Sequence, residues 1–225
     1  MKKRMVLTAV LAALIAVPAF GALTVDIHRY SDYSTMPGGE FTVVPSDTGM
    51  MSLYADSAKI NDGFQSFCLE MNEGLSGNPY DAVISDGAVA GGNAGSVNGK
   101  DVISAGTAWL YQNFARGTLA GYDYVPGTGR SADAWKLQQA FWYLEDEYAS
   151  IDSVDDTEFL QLAVDELGDE NTAKADYAGS AVGVLNIFKN GEYQQDQLVL
   201  IPTPGAVFLG SLGIGVVGWF RRRNS

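Results

Sequence analysis

The chain has one cysteine, Cys68, and one histidine, His28, among its 225 residues. A single cysteine excludes a disulfide within the chain. With one cysteine and one histidine, a zinc site has few ligands of these types to draw on, and a Ser-His-Asp triad would depend on His28 alone. His28 lies in an alternating apolar and polar segment, where packing in a strand is expected. The role of the lone thiol is therefore the main question that the composition raises.

Positive charge is scarce in the body of the chain. Six of the 14 lysines and arginines lie at its two ends: Lys2, Lys3, Arg4 and Arg221 to Arg223. The remaining eight stand against 27 acidic residues. Such an acidic surface repels phosphate backbones and anionic lipid, so we expect no nucleic-acid partner. Cationic partners and divalent ions are compatible with it.

The aspartates do not have the spacing of a twelve-residue EF-hand loop. Two groups of aspartates could ligate calcium by composition alone: Asp81, Asp86 and Asp101, and Asp152, Asp155 and Asp156. The second group more simply forms the solvated start of a helix. We predict no metal site and no cofactor.

Residues 1–22 have the pattern of a secretory signal peptide. A basic start is followed by an apolar run from Met5 to Val17, a helix-breaking Pro18, and small residues at Gly21 and Ala22, near which cleavage is expected. An uncleaved membrane anchor is the alternative. The mature domain is predicted to begin at residue 23.

Residues 202–225 form a second targeting pattern. Pro202-Thr203-Pro204 precedes an apolar run from Gly205 to Phe220, and three arginines follow. This arrangement resembles a PEP-CTERM sorting signal of exported Gram-negative proteins, with Thr203 in place of the usual Glu. The resemblance implies an exosortase-type sorting enzyme and the membrane as partners, and a place in the cell envelope or on the extracellular surface. A plain C-terminal membrane anchor is the alternative.

The remaining residues, 23–201, are predicted to form one domain with strands at both ends. Alternation, turn signals and an Asn-Gly hairpin signal at Asn190-Gly191 carry this prediction. The strand candidates are Leu23 to Tyr30, Gly38 to Pro45, Met50 to Tyr54, Phe64 to Met71, Val182 to Phe188 and Leu198 to Ile201. Residues 78–100 are rich in Gly, Ala, Ser, Asn and Asp, and they are predicted to form a long surface loop.

Three helices are predicted between these strands. The first spans Ile103 to Ala115, the second begins with Ser131 as its N-cap, and the third spans Asp156 to Leu167 and ends at Gly168. Strands at both ends with helices between them indicate an α+β fold, in which the first and last strands share a sheet. We expect a β-sandwich or barrel-like sheet with an inserted helical subdomain.

Two short motifs lie far apart in this body. The first is Phe67-Cys68-Leu69-Glu70, and the second is Leu137-Gln138-Gln139-Ala140-Phe141-Trp142. In this order they resemble the aromatic-Cys-aliphatic and Gln-x-Ala-x-Trp motifs of the thioester domains of bacterial surface adhesins. The resemblance implies a covalent bond between the Cys68 sulfur and the Gln138 side-chain carbonyl, with Gln139 at the variable position.

The chemistry of such a bond requires these residue types. A thiolate that attacks a carboxamide releases ammonia and leaves an acyl group that an amine or hydroxyl can capture. Water is the competing nucleophile, so the bond has to be kept dry. Trp135 and Trp142 stand three residues before and four after Gln138, and we expect them to form a dry wall together with Phe67.

These patterns favour a surface-displayed binding protein that attaches covalently to amines or hydroxyls on a surface, a matrix or an exopolysaccharide. It reacts once, so it is not an enzyme in the turnover sense. The first alternative is a non-covalent structural component of the cell envelope or matrix, in which Cys68 is a buried hydrophobe and Gln138 is solvated. The second, a hydrolase using carboxylates such as Glu70 and Glu145, has no spacing motif behind it.

Overall fold

The computed structural model describes residues 23–34, 38–89, 92–93, 95–96 and 98–201. The predicted signal peptide and the predicted sorting tail lie outside the described residues. Within the described ranges, no helix is long and apolar enough to cross a membrane. The described body combines a large antiparallel sheet with helices, which confirms the predicted α+β class.

An antiparallel sheet of eight strands organises the described residues. The strands in chain order are β1 (Leu23–His28), β2 (Phe41–Pro45), β3 (Lys59–Ile60), β4 (Gly63–Ser66), β5 (Tyr80–Ser85), β6 (Gly87–Ala88), β7 (Asp101–Val102), β8 (Val182–Lys189), β9 (Glu192–Tyr193) and β10 (Gln197–Leu200). The order across the sheet is β10-β8-β5-β1-β2-β4-β3, with β9 paired to β8, while β6 and β7 pair separately. The first and last strands therefore belong to one sheet, as predicted.

Strand β10 also pairs with the segment that follows β4. The Leu198 amide donates to the Phe67 carbonyl at 3.0 Å, and Cys68 forms an antiparallel bridge with Gln197. The β4 extension is thus held by main-chain hydrogen bonds to the last strand of the sheet. Cys68 is positioned by this strand pairing and does not lie on an unsupported loop.

Four α-helices lie between β7 and β8 in the described part of the chain: α1 (Ala105–Ala115), α2 (Thr128–Leu144), α3 (Glu158–Leu167) and α4 (Glu170–Lys174). The predicted first and third helices are confirmed. Gly168 follows α3 at a positive φ of 98°, as its predicted role requires. The side chain of Ser104 caps α1 by accepting from the Thr107 amide at 3.1 Å.

The predicted start of the second helix is wrong. Helix α2 begins at Thr128, and Ser131 lies within its first turn. The residue before the helix, Gly127, makes no side-chain cap; its amide donates instead to the Asp32 carbonyl at 2.7 Å. A tertiary main-chain contact therefore determines where this helix begins, and no capping pattern in the neighbouring residues indicates that start.

Two further local predictions are wrong. Residues 78–100 contain β5 and β6, and β5 is a central strand paired with both β1 and β8. In β5 the buried Tyr80 and Ala82 alternate with exposed residues that include the apolar Val83, so the burial pattern does not follow the apolar pattern of the sequence. Residues 50–54 are not extended, because the segment Thr48–Leu53 forms a 3₁₀ helix capped by the side chain of Asp47.

The predicted Asn190-Gly191 turn is confirmed. Asn190 and Gly191 have φ values of 54° and 84°, the left-handed conformations that a type I′ turn requires. The turn connects β8 to β9, and Phe188 pairs with Tyr193 across it.

A buried ion pair connects α2 to the sheet. Arg130 donates from Nε to Glu40 Oε1 at 2.8 Å and from Nη2 to Glu40 Oε2 at 3.0 Å. Glu40 also accepts hydrogen bonds from the Tyr122 hydroxyl and the Gln65 amide. Both charged side chains are essentially inaccessible to water. Such a pair is compensated only while every partner is present.

Candidate functional site

Cys68 and Gln138, separated by 70 positions in the chain, contact each other in the core. The Cys68 thiol donates to Gln138 Oε1 at 3.3 Å. The Gln138 amide nitrogen donates to the Cys68 carbonyl at 2.8 Å. Both residues are completely buried. The two hydrogen bonds hold the edge of the carboxamide against the cysteine.

The positions of both residues follow from the fold. Cys68 lies on the β4 extension, where the Leu69 amide also donates to the Asp196 carbonyl at 3.2 Å. Gln138 lies in the middle of α2, whose buried residues surround the helix rather than follow one stripe. The alternative in which Gln138 is solvated is wrong, because the side chain is completely buried and α2 is enclosed on more than one side.

The surroundings keep the thiol protonated. Burial raises the pKa of the Cys68 thiol, and the nearby Glu70 carboxyl adds to the rise. The Arg29 guanidinium and the Trp142 indole oppose it. The proton of the neutral thiol points at the carbonyl oxygen of Gln138. The thiol and the carboxamide are thus neighbours, and the thiolate that attacks a carbonyl carbon forms only when this proton is lost.

Three aromatic residues were predicted to wall off this pair. Phe67 is fully buried and packs edge-on against Phe114 and Phe141, with ring centroids 5.0 and 5.1 Å away. Trp142 is also buried, whereas Trp135 is only half-buried and packs edge-on against Trp142 at 5.9 Å. Phe67 and Trp142 therefore belong to the apolar surroundings of the pair, and Trp135 forms the outer layer.

The indole nitrogen of Trp142 has no hydrogen-bond partner within the described residues, although it is buried. It lies close enough to Cys68 to lower the pKa of the thiol. A buried donor without a partner is costly, so such groups mark places that merit a functional explanation. This N–H can therefore stabilise negative charge that develops on the Cys68 sulfur.

Gly38 covers the pair from outside the helical layer. A Cβ atom added at Gly38 would lie 2.5 Å from Cγ of Gln138 and 2.9 Å from Cη2 of Trp142. The backbone therefore rests directly on the carboxamide, at a distance that only glycine permits. Sequence reasoning missed this contact, because nothing near Gly38 distinguishes it from the glycine of an ordinary turn.

The neighbouring Gln139 is engaged elsewhere. Its amide nitrogen donates to Asp155 Oδ2 at 3.0 Å, and its carbonyl oxygen accepts from the Asp155 amide at 3.3 Å. Gln139 thus fastens α2 to the loop before α3. Of the two adjacent glutamines, Gln138 is the one that meets the thiol.

A buried acidic cluster borders the site. Glu70 is 2% exposed, and neither of its carboxyl oxygens has a hydrogen-bond partner in the described part of the chain. Burial, followed by the charges of Asp196 and Glu73, raises the pKa of Glu70 to about 9. Glu145, the other carboxylate considered for hydrolysis, instead accepts from the Ser104 amide at the start of α1 at 3.0 Å. Nothing here pairs Glu70 and Glu145 for acid–base work.

Glu70 makes stability depend on pH. Its pKa is about 4.5 when unfolded and about 9 when folded, so the native state binds more protons between these values and loses stability as pH rises through them. Replacing Glu70 by Gln should stabilise the protein at pH 8 by about 1–3 kcal/mol and leave it unchanged near pH 4. Urea unfolding at both pH values measures the difference between variant and wild type. Equal differences at the two pH values would contradict the assignment.

Among the described residues, no group of three or more His, Cys, Asp and Glu side chains is placed to hold a metal. The aspartates considered for calcium have other contacts, such as Asp86 with Lys100 and Asp156 with Lys136. Comparisons with protein-family models, curated proteins and solved structures give no match to this chain. The function therefore has to be inferred from the geometry of the buried pair.

Proposed function

We propose that this protein is an exported surface protein that forms an internal thioester between Cys68 and Gln138 and uses it to attach covalently to amines or hydroxyls. The observation that carries the proposal is the contact between the thiol and Gln138 Oε1 at 3.3 Å in a fully buried site. The carbonyl carbon is bonded to that oxygen, about 1.2 Å from it. The sulfur is thus next to the carboxamide whose carbon it would attack.

The reaction balances within the pair. The sulfur of Cys68 bonds to the carbonyl carbon of Gln138, the carbon–nitrogen bond breaks, and the thiol proton leaves with the nitrogen as ammonia. An incoming amine later attacks the same carbon, forms an amide with residue 138 and releases the thiol. The thioester is consumed, so each molecule reacts once.

Burial supports the long life that such a bond needs. Trp142 and the Gly38 backbone cover the pair, Phe67 is buried in the adjoining aromatic core, and hydrolysis requires water to reach the pair. The pairing of β10 with both β8 and the β4 extension supports the barrel-like form among the two predicted forms of the sheet. The covalent bond would join this closed region of the sheet to α2.

The predicted ends of the chain supply the cellular context of the proposal. A signal peptide at residues 1–22 exports the protein, and the PEP-CTERM-like tail at 202–225 directs it to an exosortase-type enzyme and the membrane. The target is then a surface, matrix or exopolysaccharide outside the cell. A non-covalent envelope or matrix component with the same fold is the alternative, and the neutral, hydrogen-bonded thiol is compatible with it.

Intact-mass measurement tests the proposal directly. Protein carrying the thioester is lighter than the unmodified polypeptide by about 17 Da, the mass of the ammonia lost. Methylamine should add its full mass of about 31 Da, so that the product carries a methylamide at Gln138 and is about 14 Da heavier than the unmodified polypeptide, and Cys68 should become available to alkylation after denaturation. An unmodified mass, together with quantitative alkylation of Cys68 before any amine is added, would support the non-covalent alternative.

Gly38 offers a second test of the same chemistry. Gly38→Ala places a methyl group against Gln138 and should shift the carboxamide away from Cys68. Misplacement of this kind slows an oriented reaction about a hundredfold, so most of the purified variant should keep the unmodified mass. Gly74→Ala is the matched control, because nothing lies within 4 Å of its added Cβ. A full mass deficit in Gly38→Ala would show that this contact does not hold the carboxamide in place.

A further inference from the structure

The indole of Trp142 lies beside the buried pair. Trp142 follows Gln138 by four positions in α2, so the two side chains project from the same face of the helix. The backbone of Gly38 is pressed against both of them, because an added Cβ would lie within 3 Å of Gln138 Cγ and of Trp142 Cη2. The indole and the carboxamide are therefore neighbours under one piece of main chain.

Two aromatic rings fix the orientation of this indole. Trp135 and Tyr148 each pack edge-on against Trp142, with ring centroids 5.9 Å away in both cases. The Trp142 side chain is only 1% exposed. Side chains packed at the density of a protein core have few rotamers open to them, and edge-to-face pairs favour one relative orientation. The direction of the indole N–H is thus set before any reaction begins.

The N–H of this indole makes no full hydrogen bond, yet it lies close to the sulfur. None of the residues that the structure describes accepts from Trp142 Nε1, although this atom is buried. The N–H nevertheless lowers the pKa of the Cys68 thiol, against the larger upward effect of burial. A neutral thiol is a weak acceptor, whereas hydrogen bonds to an ionised group are roughly twice as strong. The contact therefore strengthens when the sulfur becomes negative.

We propose that Trp142 is a catalytic residue of the thioester chemistry, whose N–H donates to the Cys68 sulfur when that sulfur carries negative charge. The interaction acts twice, once when the bond forms and once when a nucleophile opens it. An interaction that is stronger in the charged transition state than in the neutral ground state raises the rate. The inference rests on the proposed function for its rate effects, but not for the contact between the N–H and the sulfur.

In bond formation the negative charge appears on the sulfur as the thiol loses its proton. The sulfur bonds to the carbonyl carbon of Gln138, the carbon–nitrogen bond breaks, and the nitrogen leaves as ammonia with the proton that the thiol gave up. The indole proton stays on its own nitrogen throughout. Trp142 therefore supplies charge stabilisation and no proton, and the atoms of the reaction balance without it.

In bond opening the charge returns to the same sulfur. The nucleophile bonds to the carbonyl carbon of residue 138, the carbon–sulfur bond breaks with its electron pair on the sulfur, and a proton from the nucleophile ends on the thiol. The leaving group is the same for every nucleophile, so the N–H should accelerate all of them by a similar factor. A mere cover acts in the opposite direction, because its loss admits nucleophiles faster. The sign of the rate change thus separates the two roles of Trp142.

The rate effect is tested by removing the N–H alone. Benzothienylalanine at position 142 replaces the N–H by sulfur and keeps the bicyclic ring, so the cover remains. Capture of methylamine and of hydroxylamine, followed by intact mass, should each slow by about tenfold to a hundredfold. Trp109→Phe, on the half-buried face of α1, is the control and should react at the wild-type rate. Wild-type or faster rates in the benzothienylalanine protein would overturn the catalytic role.

The contact itself is tested without any thioester. In protein labelled with ¹⁵N-tryptophan, the indole signal of Trp142 is assigned by its loss in Trp142→Phe. Its proton should resonate farther downfield in wild type and in Cys68→Ser than in Cys68→Ala, which has no acceptor at this position. Equal proton positions in all three proteins would overturn the proposal. A missing mass deficit in wild type, with the downfield shift present, would reject the thioester and leave the contact standing.

Discussion

Cys68→Ala is expected to abolish covalent capture of methylamine and to lower the free energy of unfolding by about 4 kcal/mol. The loss of capture is complete, because no other thiol exists in the chain. The loss of stability is expected because the proposed thioester would close a loop of 70 residues and so restrict the unfolded chain. Intact mass after methylamine treatment and guanidinium unfolding measure the two effects.

Methylamine-treated wild-type protein separates the cross-link from the packing of the sulfur. Treatment opens the loop without changing the sequence, so it should lower stability nearly as much as Cys68→Ala does. Gln139→Ala is the control for α2, because Gln139 bonds to Asp155 and not to the thiol. It should keep the mass deficit and the capture. Unfolding curves that are identical before and after treatment would show that the cross-link does not stabilise the protein.

Arg130→Met is expected to destabilise the protein by about 3–5 kcal/mol. The substitution removes the two hydrogen bonds that Arg130 donates to Glu40 and leaves a carboxylate without its counter-charge in a site closed to water. A buried charge without a partner costs far more than the intact pair contributes. Urea unfolding, read as the change in midpoint at constant slope, measures the loss.

The double variant Glu40→Gln with Arg130→Met tests the cause. A neutral amide at residue 40 carries no charge and can still accept from Tyr122, so the double variant should recover about 1–3 kcal/mol relative to Arg130→Met alone. Recovery in the double variant shows that the uncompensated charge is responsible. A double variant less stable than Arg130→Met would mean that lost packing around the guanidinium stem dominates.

Sequence reasoning succeeded where the signal is local. Neighbouring residues alone indicate the helices α1 and α3 and the Asn190-Gly191 turn. The structure shows all three where they were predicted. It failed where distant partners decide the conformation. Strand β5 is extended because β1 and β8 lie on either side of it, and α2 begins where Gly127 bonds to Asp32.

The same contrast between local signals and distant partners applies to the residues of the candidate site. Cys68 and Gln138 were named from two motifs, and the structure places their side chains in contact. Gly38 and Arg29 were not named, because each is an ordinary residue type whose role depends on what lies beside it in space. No periodicity indicates that a glycine will rest on a carboxamide or that an arginine will lie near a thiol.

By itself the sequence determined that any bond made by Cys68 within the chain must have a partner other than sulfur, and that the body of the protein is acidic and built from both helices and strands. Only the tertiary structure decided that the partner at hand is Gln138, and that both groups are sealed from water. The physical reason is that composition limits which reactions are available, whereas reactivity depends on distance, orientation and the exclusion of solvent. Those properties arise when β10 pairs with the β4 extension and α2 brings Gln138 against Cys68.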